Sequence, residues 1–434
     1  MTSTAAVQRA VARVLRPFSR VHPHEAATVV LMTAAAFLLL AAYYQLKTVR
    51  EPLILLHGGA EMKLYLRAAQ AVLMVGVVHL YGELARRVGR TKLVAFVFLF
   101  FVANLAIFTV LERFELPIGV PFFLWVGVFS YTAVAQLWGL AADIYTEEQG
   151  KRLFPVIGAG SSIGAVVGGI VAKSLVPFGP DVLMATAVVI LLACVGLLAW
   201  IGQRSRSIVV VHAEVLEAPL AKDSAWALLA HDKYLLLIAG MVVLLNWVNS
   251  SGEYVLDRTV LVAAKEAATR GIKPEVFVGA FKAGYFAWYN AIGLGLQLFA
   301  VSRVLKLVGI RGALFVMPAF ALVAYGGAVF FPIMAVMRVV KIGENSLQYS
   351  LQDTTRHGLF LIASRVEKFV GTTAVDTLAV RIGAVTSGLV VFVGARLDWS
   401  LATFAAIDVC VAAAWIIFVV MIGREHRRLT VIAS

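Results

Sequence analysis

Apolar runs of about twenty residues, each long enough to cross a bilayer as a helix, recur along the chain with short polar stretches between them. They fall near 26–49, 63–84, 91–111, 118–142, 153–176 and 181–202. After a polar stretch over 203–232 they resume near 233–256, 276–302, 312–331, 333–353, 373–396 and 399–422. This pattern predicts an all-α polytopic membrane protein with about twelve transmembrane helices. The expected organisation is a basic amphipathic segment (1–25), an N-terminal six-helix bundle (26–202), a cytoplasmic linker (203–232), a C-terminal six-helix bundle (233–423) and a tail (424–434). The halves echo one another. Arg86-Arg87-Val88-Gly89-Arg90 follows the second run and Lys306-Leu307-Val308-Gly309-Ile310-Arg311 the eighth, as expected of parallel repeats around a central site. In the linker, Asp223-Ser224 before an apolar run reads as the N-cap of a short interfacial helix.

Composition agrees with a chain whose solvent is lipid. Hydrophobic residues make up 61% and charged residues 15% of the sequence, with a mean hydropathy of +0.88; soluble chains carry about a quarter charged residues. The net charge of +13 would suit nucleic acid, but its distribution argues against that partner. Basic residues gather at the termini and in alternate loops, among them Arg86, Lys151, Arg152, Arg204, Arg206, Arg303, Lys306, Arg424 and Arg427. Such one-sided charge orients a membrane protein and predicts cytoplasmic termini, with a bacterial inner membrane as the expected location. Residues 1–24 do not read as a signal peptide. Val7, Val11, Val14 and Leu15 share a helical face apart from most of Arg9, Arg13, Arg16 and Arg20, which suits a helix lying on the inner membrane surface. Cys194 and Cys410 stand in apolar runs at no metal or redox spacing and read as small buried hydrophobes.

Ionisable groups inside a span cost a few kcal/mol or more, so their clustering carries information. The first span ends with Tyr43, Tyr44, Lys47, Arg50 and Glu51, and the second begins with Lys63, Arg67 and Gln70. The seventh carries Asn246, Asn249, Glu253 and Asp257; the eighth Lys282, Tyr285 and Tyr289; the tenth Arg338, Lys341, Asn345, Gln348 and Gln352. Steps of three and four put each set on one helical face. These stripes predict a wet cavity for a flat anion, with aromatic faces for stacking and cations for phosphate or carboxylate. Internal ion pairs that merely hold the bundle together are the plainer account of any single member.

Gly160, Gly164 and Gly168 recur every fourth residue, with Lys173-Ser174 nearby. A phosphate loop would need a glycine at Ala172 and a preceding strand, so close packing between helices is the expected role. The histidines form no metal set and no nucleophile–base arrangement stands out; the expectation is no enzyme, no cofactor and no metal.

The segment Gly82 to Lys92 resembles the loop signature of the major facilitator superfamily, which implies packing and gating roles for Gly82, Arg87, Gly89 and Arg90. Further blocks resemble the ATP/ADP translocases of bacteria and plastids: Tyr44 to Glu51 followed by Gly59-Ala60-Glu61, Ala135 to Gly139, Glu148 to Phe154, Tyr349 to Arg356, and Val375-Asp376 through Arg381-Ile382-Gly383. The resemblance implies a twelve-helix major-facilitator fold that exchanges nucleotides without hydrolysing them. It implies phosphate contact by Arg50, with Lys47 and Glu51 beside it, and site roles for Arg67, Glu253, Asp353 and Arg381. The chain departs from the pattern at Gln136, where the family has glutamate, at Ala384, where it has lysine, and at Asn345 and Gln348, where it has lysines.

The functional expectation is a secondary transporter, a monomer in the bilayer, that moves an anionic nucleotide-like solute by alternating access. The alternatives are a non-transporting sensor or scaffold on the same fold, or a transporter of another anionic metabolite or of lipid.

Overall fold

In the computed structural model, residues 21–87, 90–204, 232–360 and 375–433 are described, and among them regular structure is helical throughout. The helices are α1 (Pro23–Arg87), α2 (Arg90–Arg113), α3 (Gly119–Ile144), α4 (Glu147–Leu175), α5 (Pro180–Arg204), α6 (Lys233–Thr269), α7 (Pro274–Phe299), α8 (Val301–Ala313), α9 (Val316–Phe330), α10 (Met334–Leu347), α11 (Asp353–Leu359), α12 (Val380–Arg396) and α13 (Leu401–Ala433). Single π-helical turns, Gln348–Gln352 and Val375–Ala379, precede α11 and α12. The segment 1–20, Gly89, and the proposed cap at Asp223-Ser224 lie outside the described residues.

At 1.5 Å per residue, a straight helix of 65 residues would reach roughly 100 Å, several times a bilayer core. The α1 helix breaks instead at Gly59 (φ 74°, ψ 179°), a conformation open in practice to glycine alone. The two sequence-predicted spans around 26–49 and 63–84 are the arms of this broken helix. Gly309 (φ 67°, ψ 178°) makes the same break inside α8, at the position that the repeat aligns with Gly89. Among the described residues, seven helices are long and apolar enough to cross a membrane, or eight if the α7–α8 pair, bent by 75°, counts as one broken span. Side chains exposed on the protein surface include Val72, Leu80, Val323 and Phe330. Such a surface is at home in lipid, where apolar exposure costs nothing.

Termini of the helices follow local rules. Asp232 caps α6 by accepting from the amides of Tyr234 (2.7 Å) and Leu235 (3.0 Å). The same helix ends on Gly271 (φ 80°), where the amides of Gly271 and Ile272 donate to the carbonyls of Ala268 and Ala267, a Schellman closure. Between these signals nothing interrupts the helix. It therefore runs 37 residues, well past the end near 256 expected from polarity, because charge does not break a helix as proline or a capping glycine does. Thr146 and Gln149 form a reciprocal capping box that starts α4.

Contacts divide the chain into two compact units. Unit one takes the described residues of Met1–Ile54, Val72–Ala218 and Glu275–Ala291; unit two takes those of Leu55–Ala71, Pro219–Pro274 and Ile292–Ser434. Unit one's core is built from buried residues such as Leu39, Leu46, Phe98, Phe122, Leu137 and Leu191. Its closest helix approach is that of α4 to α1. A Cβ added at Gly160, Gly164 or Gly168 would strike the backbone of Thr33, Phe37 or Ala41. The glycine repeat is thus a packing seam, as its spacing predicts, and not a phosphate loop. Unit two's core centres on Leu235, Ile238, Met241, Leu314, Trp415 and Val419. Cys194 is buried, but Cys410 is exposed, which corrects the expectation of two buried thiols; it lines a shallow apolar groove with Leu244, Trp247 and Ile407.

Candidate functional site

In unit one, α1 offers Tyr43, Tyr44, Lys47, Arg50 and Glu51 within two and a half turns, and α7 faces them with Lys282, Tyr285, Phe286 and Tyr289. The Lys47 ammonium donates to the Tyr289 hydroxyl at 3.0 Å. It also stands 4.4 Å from the ring centre of Phe286, 5.2 Å from Tyr44, 5.5 Å from Tyr289 and 6.0 Å from Tyr43. The Tyr44 and Tyr289 hydroxyls are 3.0 Å apart, and Tyr44 also donates to Asn290 Oδ1 at 3.2 Å. The Phe286 ring at 4.4 Å is within cation–π range, while Tyr289 meets the ammonium with its hydroxyl.

One turn along, the Arg50 guanidinium lies 4.5 Å over Phe123 from α3. Its Nη2 donates to Glu51 Oε1 at 3.0 Å, and Glu51 Oε2 is 3.5 Å from the Lys282 ammonium. All three side chains are buried. Arg50 Nε is buried with no hydrogen-bond partner, and an unsatisfied buried donor costs about 1–3 kcal/mol, more on a charged group. Gln136 on α3 is likewise buried, with Oε1 unpartnered.

Unit two holds two further clusters. In the first, Lys63 from the second arm of α1 pairs with Asp257 (2.8 Å) and Glu253 (3.3 Å) of α6, and Arg67 approaches Glu253 at 4.0 Å. Glu61 accepts from Tyr254 at 2.9 Å and pairs with Arg258 beside this cluster. In the second, Lys341 of α10 lies 2.9 Å from Glu344 and donates to the Asn249 carbonyl at 3.0 Å. The Asn249 amide donates to Glu344, Asn345 and Gln348 at 3.0–3.1 Å. Tyr325 of α9 donates to the other Glu344 oxygen.

The remaining sequence-predicted residues are more dispersed. Arg338 and Arg381 are half-buried on α10 and α12. Asp353 approaches its own helix neighbour Arg356 at 3.6 Å. Gly82 and Arg87 sit on the last turns of α1, and Arg90 opens α2. The tenth-span seam does not continue as a plain α-helical stripe past Leu347: the π turn Gln348–Gln352 shifts its register, and Gln352 faces Met241.

Sequence reasoning missed Glu344, Tyr325, Phe123, Phe286 and Asp408 as polar or ring partners. Glu344 had a usable signal, an acid three residues after Lys341 in an apolar run. Asp408 had another, a lone acid within a span. The rings carried none, since aromatic residues are common throughout the apolar runs.

No protein-family model and no curated protein matches the chain. Solved structures do. The POT family transporter PepTSo aligns at a TM-score of 0.64 and 11% identity, over 93% of this chain and 98% of its own. The nucleoside transporter NupG aligns at 0.66 and 12%, over 90% and 98%. A bacterial homologue of the iron transporter ferroportin aligns at 0.61 and 13%, over 92% and 98%. At such identities the likeness speaks for the fold alone: the chain shares the helical fold of these transporters, and with its apolar helices it is an all-α, integral multi-pass membrane protein.

Proposed function

We propose that the protein is a secondary transporter that moves an anionic, nucleotide-like solute by alternating access. The observation that carries this reading is the buried Arg50 guanidinium of unit one, set with Lys47 and Lys282 among aromatic rings, its Nε without a hydrogen-bond partner among the described residues. A phosphate or carboxylate oxygen would satisfy that donor, and Arg50 and Lys47 would share the anion's charge. Tyr43, half-buried at the edge of this ring group, is the ring best placed for a flat base to stack on, while Tyr44, Phe286 and Tyr289 are buried around Lys47. The chemistry fits the translocase resemblance, and NupG, on the same fold, is a nucleoside transporter. Lys63 is held in ion pairs to Glu253 and Asp257, whereas Arg50 Nε has no partner among the described residues, so unit one is the better candidate for the charged end of the solute. The basic loops support a location in the bacterial inner membrane with cytoplasmic termini.

The test is a thermal-shift screen of purified protein against nucleosides, nucleoside mono-, di- and triphosphates and phosphorylated sugars, since a ligand that binds the native state raises its stability. Hits are then carried into liposome uptake. A nucleotide should stabilise the protein more than its nucleoside, and Arg50→Ala should abolish the difference. Stabilisation by none of these, with no saturable uptake, sinks the nucleotide reading.

A further inference from the structure

Asp408 belongs to none of the clusters that hold an anion. It sits in the first third of α13, within a span, and is fully buried. Neither of its carboxyl oxygens has a hydrogen-bond partner among the described residues. The Ser251 side chain of α6 stands beside it without completing a bond of good geometry, and Glu344 and Lys341 of α10 act on it through charge. The other helices packed along α13 are α9 and α8. From α9, Tyr325 donates to Glu344; from α8, Arg311 faces His426. Two of the acids of α6, Glu253 and Asp257, are held by Lys63, and the third, Glu266, lies exposed near the end of the helix.

An ionised carboxylate with neither a counter-charge in contact nor a hydrogen bond is too costly to keep in an apolar interior, and such a group takes up a proton instead. The charge count points the same way. Lys341 and Glu344 cancel each other at 2.9 Å, so an ionised Asp408 would leave this cluster with one uncompensated negative charge. A protonated Asp408 leaves it neutral. The pair it would disturb is the pair that holds Asn249, and through Asn249 the amides of Asn345 and Gln348.

We propose that Asp408 is the coupling-proton site of the transporter. The carboxylate takes a proton from water on one side of the membrane, forming an O–H bond, and returns it to water on the other side as that bond breaks; nothing is oxidised or reduced. When Asp408 is ionised, it competes with Glu344 for Lys341, and the Asn249 network loosens. Proton occupancy is in this way tied to the arrangement of polar groups on α6 and α10. The use of the site in coupling rests on the transport reading, but its occupancy can be measured without a substrate.

The experiment is infrared spectroscopy of the full chain reconstituted in lipid, titrated in pH. Wild type should show the carbonyl stretch of a buried protonated carboxylic acid at neutral pH, slow to shift in deuterated water and lost as pH rises. D408N should lack that titrating band, and E344Q should retain it with a displaced midpoint. Should D408N not fold, D408E serves: its band should remain but move in frequency. No such band in wild type, its full survival in D408N, or an unmoved band in D408E overturns the proposal. Loss of the band on adding sodium chloride at constant pH would make this a sodium site and overturn it too. In proteoliposomes, an inward proton gradient should raise uptake of labelled adenosine monophosphate several-fold in wild type and leave D408N unchanged. Absence of any uptake while the infrared band behaves as described would sink the transport reading and support the proton site.

Discussion

Arg50 and Lys282 both rest on Glu51, so the carboxylate is the counter-charge that lets two cations stay buried on adjoining helices. Removing one member of a buried ion group leaves its partners uncompensated and typically costs about 3–5 kcal/mol. Glu51→Gln should therefore lower thermal stability sharply. Adding Lys282→Met to it should recover part of the loss, because one stranded cation is then gone. A double-mutant cycle on unfolding measures the coupling; additive effects would show that the three charges do not act together. Glu25, ahead of the first span, behaves differently. Burial alone would raise its carboxyl, but the Arg152 hydrogen bond, the His22 amide and Gln149 outweigh that and hold it below the ordinary value of 4.5. Its folded-state value being depressed, its stabilising contribution is present at neutral pH and lost as pH falls through that lowered value. Glu25→Gln should melt below wild type at neutral pH, and the two should converge in acid.

Among elements, the α4–α1 seam and the Gly59 break give the clearest outcomes. Gly164 admits the Phe37 backbone where a Cβ would stand, so Gly164→Leu should force α4 off α1 and abolish a sharp unfolding transition, whereas a conservative change at the open Gly158 should be tolerated. At Gly59, alanine would meet both a forbidden φ and the Glu61 carboxylate, for a strain of about 1–3 kcal/mol, read as a lower melting temperature. These elements also show what the sequence discloses. Helix existence was legible from apolar runs, and the packing role of Gly160, Gly164 and Gly168 from spacing and the absence of a strand. The full length of α6 was not, since its charged second half looks like an end although only Gly271 supplies one. The π turn at Gln348 was also hidden, because the polar residues around it keep steps of three and four whichever way the backbone winds.

At the scale of the molecule, the stripes of charge were legible and their pairing was not. Spacing shows that Lys47 and Arg50 share a face, and that Lys341, Asn345 and Gln348 do. It does not show that Glu344 lies within reach of Asn249, or that Asp408 has no partner, because those relations run between helices far apart in sequence. Pairing alters the meaning of the stripes. Ion pairs join Lys63 and Arg67 to Glu253 and Asp257, as in a structural ion network, while Lys47 meets the Tyr289 hydroxyl and the Phe286 ring. Single changes in the ion-paired group should therefore act mainly on stability, and Lys47→Met mainly on anion binding. Parallel thermal-shift measurements with and without a bound nucleotide separate the two; a lost ligand response in Lys63→Met at unchanged stability would reverse the assignment.

The group on α1 and α7 has an electrical consequence. Any step that carries Lys47, Arg50, Glu51 and Lys282 through part of the membrane field moves their charges with it. Each charge crossing the whole field exchanges about 2.3 kcal/mol per 100 mV. An anionic solute adds its own charge to that movement, so its passage should differ from that of a neutral analogue in its response to an imposed voltage, by an amount set by the solute's charge.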